Sequence, residues 1–166
     1  MTHIPDIKAK ILSARTLISK VNYWKDNNKT IVFTNGCFDI LHRGHVEYLS
    51  KAANCGDVLI IGLNSDASVK RIKGNNRPIN DQNARAVLLA ALACVDAVVY
   101  FEEDTPYNLI NLIKPHVLIK GKDYKAKDIV GYDILKKYKG KIKTIKLVEG
   151  YSTTAIEKKI QKNIQN

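Results

Sequence analysis

The sequence predicts an α/β protein built on a doubly wound parallel sheet of five strands, with helices on both faces and an N-terminal helical extension. Three observations predict it. Short β-rich runs alternate with helical stretches from Thr30 onward. Most of those runs are continuously apolar rather than alternating, as expected of strands covered on both faces. Gly or Asn closes several of them, giving turns at the strand ends where such folds bind ligands.

Residues 6–28 come first, and their apolar positions Ile7, Ile11, Leu12, Ile18, Val21 and Trp24 fall at helical spacing. Asp26-Asn27-Asn28-Lys29 breaks the pattern, so residues 1–29 form the extension and 30–166 the main domain. The expected strands cover 31–34, 58–63, 97–101, 117–120 and 143–147. The expected helices cover 44–54, 66–72, 81–93, 105–113, 129–139 and 153–163. A length of 166 residues suits one compact domain.

Composition narrows the class. No apolar run approaches the roughly 18 residues of a membrane span, and the N-terminus lacks a signal-peptide layout, so a cytoplasmic protein without a membrane partner is expected. Cys37, Cys55 and Cys94 are odd in number and unpaired in spacing, against a disulfide framework or cysteine-rich zinc site. The net charge of +11 fits nucleic acid, a small polyanion such as a nucleoside triphosphate, or a solvated lysine-rich surface. Lys136-Lys137-Tyr138-Lys139-Gly140-Lys141-Ile142-Lys143 reads as a helix end, a turn and a strand start facing water, and no nucleic-acid motif accompanies the charge, so no nucleic-acid partner is expected.

The chemistry concentrates in Asn35-Gly36-Cys37-Phe38-Asp39-Ile40-Leu41-His42-Arg43-Gly44-His45. The first main-domain strand ends at Asn35-Gly36, and a helix begins near Gly44. Free N–H groups and a partial positive charge at that helix start favour phosphate. His42 and His45, three positions apart, can share one side of the turn and donate hydrogen bonds to phosphate oxygens. A metal site lacks a convincing third ligand nearby, so no protein-held metal is expected. Cys37 reads as a small strand-end residue rather than a catalytic thiol.

Other strand ends carry further candidates. Asn64-Ser65-Asp66 suits a helix N-cap, a substrate contact, or both. Lys73 and Arg77 flank the flexible Gly74-Asn75-Asn76, either as a loop that closes over phosphates or as ordinary exposed cations. Arg85, in the next helix, can reach an acceptor phosphate or form a salt bridge. Asp104-Thr105-Pro106 reads mainly as a helix cap. Lys120-Gly121-Lys122-Asp123-Tyr124 allows close backbone approach at Gly121, with Asp123 available to ribose or a cation, or forming a plain turn. Ser152-Thr153-Thr154 opens the last helix with hydroxyls and free N–H groups.

The segment from Thr34 to His45 resembles the signature of the cytidylyltransferase-like nucleotidyltransferases, a His-x-Gly-His pair after a Gly-x-Phe-Asp turn. The resemblance implies a Rossmann-like sheet and transfer of a nucleotide to a phosphate-bearing acceptor with release of pyrophosphate. It implies that His42 and His45 contact the triphosphate and stabilise the transition state, and Lys73 of the mobile loop is expected to join them. The resemblance and the strand-end chemistry together point to Thr34, Asn35, Gly36, Cys37, Phe38, Gly44, Lys120, Gly121, Asp123, Ser152, Thr153 and Thr154 for the nucleotide, and to Asp39, Asn64, Asp66, Arg77 and Arg85 for the acceptor. One departure stands out: some relatives carry Arg or Lys where this chain has Leu147 and Glu157, although Lys146 and Lys158 lie adjacent.

Within the family, Phe33-Thr34-Asn35-Gly36-Cys37-Phe38-Asp39, Arg77-Pro78-Ile79-Asn80, Lys120-Gly121-Lys122-Asp123-Tyr124 and Ile129-Val130-Gly131 are most similar to the adenylyltransferase part of bacterial ADP-heptose synthesis. That resemblance implies ATP with Mg²⁺, a sugar 1-phosphate acceptor (D-glycero-β-D-manno-heptose 1-phosphate), ADP-heptose for lipopolysaccharide or other surface glycans, and a homo-oligomer, dimer or larger. A stand-alone adenylyltransferase supplied by a separate kinase is the expectation. A glycerol-3-phosphate cytidylyltransferase or an FAD synthetase of the same superfamily is the alternative, and a basic nucleic-acid-binding module is the alternative from another class.

Overall fold

The computed structural model describes residues 3–121, 126–146 and 148–164. One six-stranded sheet runs in the order β1-β4-β3-β2-β5-β6, every neighbouring pair parallel. Its strands are β1 (Ile11–Leu12), β2 (Ile31–Gly36), β3 (Val58–Asn64), β4 (Ala97–Phe101), β5 (Val117–Gly121) and β6 (Lys141–Ile145). The five expected strands are present, with β6 two residues earlier than expected.

The sixth strand corrects the expected count. Residues 6–28 are not one helix: α1 (Ile4–Lys8) and α2 (Ala14–Asp26) flank β1. Ile11 and Leu12 pair with Val98 and Val99 at the sheet edge. Ser13 then starts α2, its Oγ accepting from the Thr16 N–H at 3.2 Å. A two-residue strand leaves no periodic trace, so its apolar pair merges into the neighbouring helical pattern.

Two apolar layers sandwich the sheet. On β2 the alternation of a strand assigns Ile31 and Phe33 to one face and Val32 to the other. The first layer takes Leu17 and Val21 from α2, Leu109, Ile110 and Ile113 from α6 (Tyr107–Ile113), and Ile134 and Leu135 from α7 (Tyr132–Lys137). The second takes Leu49 and Ala52 from α3 (Arg43–Ala53) and Ala86, Leu89 and Ala90 from α5 (Gln82–Ala90). Leu49 and Leu89 are fully buried, so truncating either to Ala would cost about 2–5 kcal/mol.

The site follows from the winding. From β2 the chain passes through α3 to β3, then through α4 (Asp66–Lys73) and α5 to β4, always moving one way across the sheet. After β4 it crosses to the far side of β2 and lays down β5 and β6. Strand order reverses between β2 and β5, and a crevice opens at their carboxyl ends. α8 (Thr153–Ile164) follows β6.

Candidate active site

A cleft of ≈ 590 Å³ occupies that crevice, within the usual range for small-molecule sites. The end of β2 and the loop after it supply Asn35, Gly36, Cys37, Phe38 and Asp39. The start of α3 supplies His42, Gly44 and His45. Asn64 from β3, Lys73 from α4, Asp104 from the loop before α6, Lys120 and Gly121 from β5, and Tyr151, Ser152, Thr153 and Thr154 at the start of α8 also line it. Thus residues from six separate stretches of sequence converge on one opening.

The histidines owe their arrangement to a helix cap. His42 has extended backbone and caps α3, its Nδ1 accepting from the His45 N–H at 3.3 Å. Because Nδ1 accepts, the neutral ring carries its proton on Nε2, leaving that N–H to donate elsewhere. The two imidazoles stack with centroids 3.7 Å apart and planes 17° from parallel. Phe38, at φ 45°, turns its ring edge-on to His45 at 5.1 Å. His45 Nδ1 is buried without a hydrogen-bond partner among the described residues.

These surroundings set the charge of the pair. Burial, then neighbouring His42 and Lys73, lower the His45 pKa to about 4. Burial also lowers that of His42. Two stacked rings cannot both take a proton cheaply, so near neutral pH they act as N–H donors rather than cations. Positive charge comes instead from Lys73 and from Lys120, whose pKa burial lowers to about 8. Lys120 Nζ donates to Asn35 Oδ1 across the β2–β5 seam.

Gly44 sits in a crowded spot. A Cβ there would sit 3.0 Å from Tyr151 Cβ and 3.1 Å from His42 Nδ1. Tyr151 packs over the start of α3, with the Arg43 guanidinium 5.4 Å from its ring centre and Arg43 Nη1 donating to its hydroxyl at 3.3 Å. Ser152 caps α8, its Oγ accepting from the Ala155 N–H at 3.1 Å. Two helix starts therefore face the same cleft.

Several sequence candidates lie behind this surface. Thr34 is fully buried, with its hydroxyl 2.8 Å from that of Tyr48, and Tyr48 is the residue that reaches the cleft. Asp39 lines the cleft but its carboxylate is occupied: Oδ1 accepts from the N–H groups of Ile79 and Asn80, and Oδ2 from Arg77 at 2.8 Å. Burial pushes the Asp39 carboxyl up, but the bonds from Asn80, Arg77 and Ile79 outweigh it and hold it below the usual range. Arg77 divides its guanidinium between Asp39 and Glu157 of α8.

Arg85 is not at the cleft wall. It is completely buried, and its guanidinium donates to Asp66 Oδ1 at 2.7 Å, the Cys37 carbonyl at 2.6 Å and the Asn80 carbonyl at 3.0 Å. Asp66 is thereby paired rather than free. Ser65 provides the expected cap of α4, while Asn64 donates to Ser68 Oγ at 3.0 Å. Asp104 does not cap α6; Pro106 holds the cap position, and Asp104 pairs with Arg71 at 2.8 Å. Asp123 and Leu147 lie outside the described residues. Tyr48 and Tyr151 were missed as cleft residues; the one available signal was that Tyr48 lies one turn beyond His45.

No group of three His, Cys, Asp or Glu among the described residues can hold a metal ion. Asp39 and Asp104, the carboxylates at the cleft, are both committed to arginines. These residues do not fit a protein-caged cation. A divalent ion accompanying the phosphates would be carried by the nucleotide and water, as Mg²⁺ commonly is.

Residues 33–159 match the family described as cytidylyltransferase-like. The chain belongs to the cytidylyltransferase-like family of nucleotidyltransferases. It is 52% identical over 160 residues to the bifunctional protein HldE of Wolinella succinogenes, an alignment covering 96% of this chain and 33% of that protein. It is 62% identical over 135 residues to the bifunctional protein HldE of Aliarcobacter butzleri, covering 81% of this chain and 28% of that protein. The chain thus spans about a third of the length of these relatives. A lipopolysaccharide core biosynthesis protein from Thermoplasma volcanium superimposes with TM-score 0.58 at 28% identity, covering 75% of this chain and 99% of that one. Pantoate-beta-alanine ligase from Francisella tularensis, at 17% identity and TM-score 0.57 over 94% of this chain and 79% of its own, shares the fold. In this cytidylyltransferase-like protein, the histidine pair and the start of α8 line the same cleft.

Proposed function

We propose that this chain transfers AMP from ATP to D-glycero-β-D-manno-heptose 1-phosphate, producing ADP-heptose and pyrophosphate. The observation that carries the reading is the convergence of two helix starts, two neutral histidines and two lysines on one cleft. That set binds polyanionic phosphate without a protein-held metal. The choice of adenylyl donor and heptose acceptor rests on the match to HldE proteins across 96% of the chain and on the segments that resemble ADP-heptose synthesis.

In this reading an acceptor phosphate oxygen attacks the α-phosphorus of ATP. The new P–O bond forms as the bond to the bridging α–β oxygen breaks, and pyrophosphate leaves with that electron pair. His42 and His45 donate N–H bonds to triphosphate oxygens, and Lys73 and Lys120 offset the growing charge. N–H groups at the starts of α3 and α8 supply further donors. The acceptor phosphate is ionised near neutral pH, so no general base is needed, and catalysis is positioning plus charge stabilisation. Mg²⁺ enters as part of the ATP substrate.

ATP and CTP are each tested against heptose 1-phosphate, glycerol 3-phosphate and riboflavin 5′-phosphate, with pyrophosphate release as the readout. Selective turnover of ATP with heptose 1-phosphate is expected. Preference for CTP with glycerol 3-phosphate, or for riboflavin 5′-phosphate, would replace this assignment. Light scattering is expected to show a dimer or larger assembly. No described helix is long and apolar enough to cross a membrane, in keeping with a proposed site of action in the cytoplasm.

A further inference from the structure

We infer that Glu157 and Arg77 are positioning residues that hold the start of α8 at the cleft beside the histidines, and so set the affinity for the nucleotide. The inference rests on the proposed role of Ser152, Thr153 and Thr154 as a phosphate wall.

α8 is weakly attached to the body. Of its twelve residues only Thr153, Ile156 and Glu157 are not fully exposed. Ile160 and Ile164 are 52% and 78% exposed, so the distal half of the helix has little packing to fix it. Two polar braces hold the proximal end instead. Tyr151 lies against Gly44 and Arg43 at the start of α3. Glu157, one turn into α8, pairs with Arg77.

Arg77 is itself anchored. Its other nitrogen meets Asp39, whose side chain is 2% exposed and which also accepts from the Ile79 and Asn80 N–H groups. Asn80 Nδ2 returns a bond to the Asp39 carbonyl at 2.8 Å. The motif loop, the 77–80 segment and α8 are therefore joined through one guanidinium. The Arg77 and Glu157 side chains are only 19% and 25% exposed, so their attraction is less screened than that of a surface pair. No contact of Glu157 with phosphate is required, and its negative charge would oppose one. Its job is mechanical: it keeps the α8 N–H groups at the spacing the histidines need. This gives a role to the acid that stands where relatives were expected to carry a base.

The weakened brace predicts a split between binding and chemistry. A phosphate wall that samples its competent position only a tenth of the time lowers apparent affinity about tenfold. Glu157→Gln preserves shape and removes the charge. Its KM for ATP should rise about 5- to 20-fold, with kcat at saturating ATP within about twofold of the parent. Glu157→Lys, which sets two cations together, should raise KM further. In hydrogen–deuterium exchange without nucleotide, amides of 152–157 should exchange faster in both variants, the rest of the chain being unchanged, and saturating ATP should restore protection. Unchanged KM for ATP and unchanged exchange in both variants would overturn the inference. Thr153→Ala with Thr154→Ala separates the layers. If that double variant raises KM for ATP while the Glu157 variants do not, the brace is wrong and the phosphate wall stands. If neither does, the role given to α8 falls with it.

Discussion

Replacing Arg85 by Met should unfold the corners of the site rather than blunt its chemistry. Met keeps much of the length and apolar stem but removes every donor. Three acceptors then lose their partner: the Asp66 carboxylate, the Cys37 carbonyl and the Asn80 carbonyl. Three hydrogen bonds from a charged group, at about 1.5–3 kcal/mol each, set a ceiling that relaxation will not allow to be reached. Breaking one buried ion pair costs about 3–5 kcal/mol. Asp66 is 32% exposed and can recover water, which favours the lower part of that range, about 3–4 kcal/mol. For a domain of this size each kcal/mol shifts Tm by about 2–4 °C, so the midpoint should fall by roughly 6–16 °C. Differential scanning calorimetry measures it. Arg85→Lys restores one donor geometry at best and should fall between the parent and Met. Steady-state kinetics below the new midpoint provide the contrast. A Tm within about 2 °C of the parent, with the acceptor KM raised tenfold or more, would refute the structural role and return Arg85 to substrate binding.

Three further outcomes follow from the same geometry. His42→Ala and His45→Ala should each reduce turnover by about two orders of magnitude or more while the fold survives, because each removes a donor aimed at developing charge; pyrophosphate release together with thermal unfolding checks both halves. His45 takes its proton only near pH 4 when folded but at 6.5 when unfolded. The unfolded state therefore binds more protons between those values, and stability falls as pH drops through that window. His45→Gln should lose less Tm than the parent between pH 7 and 5, and an equal loss would contradict the buried neutral ring. Lys120 loses its charge near pH 8, so kcat/KM for ATP should decline on an alkaline limb centred there. Lys120→Met should flatten that limb and raise KM for ATP about tenfold or more, and a limb that persists unaltered would assign the titration to another group.

What the sequence made legible tracks how local each interaction is. The runs that became β2, β3, β4 and β5 were readable because both of their faces are covered by apolar layers. The histidine turn was readable because one strand end, one Gly and one helix cap lie within a dozen residues. β1 escaped because two residues carry no period. The occupation of Asp39 and Arg85 was illegible for a different reason. Both are bound to groups between about 5 and 48 positions away, and a polar residue near a motif looks the same whether it faces substrate or another loop. Their burial is a property of packing. The exposure of Lys136, Lys137 and Lys139 was readable from charge alone, but Tyr138 and Ile142 of the same stretch pack against the core, and the Tyr138 hydroxyl donates to the Pro115 carbonyl at 2.9 Å.

The seam between β2 and β5 has a consequence for how the protein matures. Synthesis delivers the histidine turn early, with β2 and β3, but Lys120 arrives only with β5 and the hydroxyl wall only with α8. A chain that has emerged only through β3 holds the complete His42-Arg43-Gly44-His45 turn but lacks Lys120 and the hydroxyls of Ser152, Thr153 and Thr154. The cleft lining is therefore complete only once β5 and α8 stand beside β2. Until then the growing polypeptide carries part of the lining without the rest.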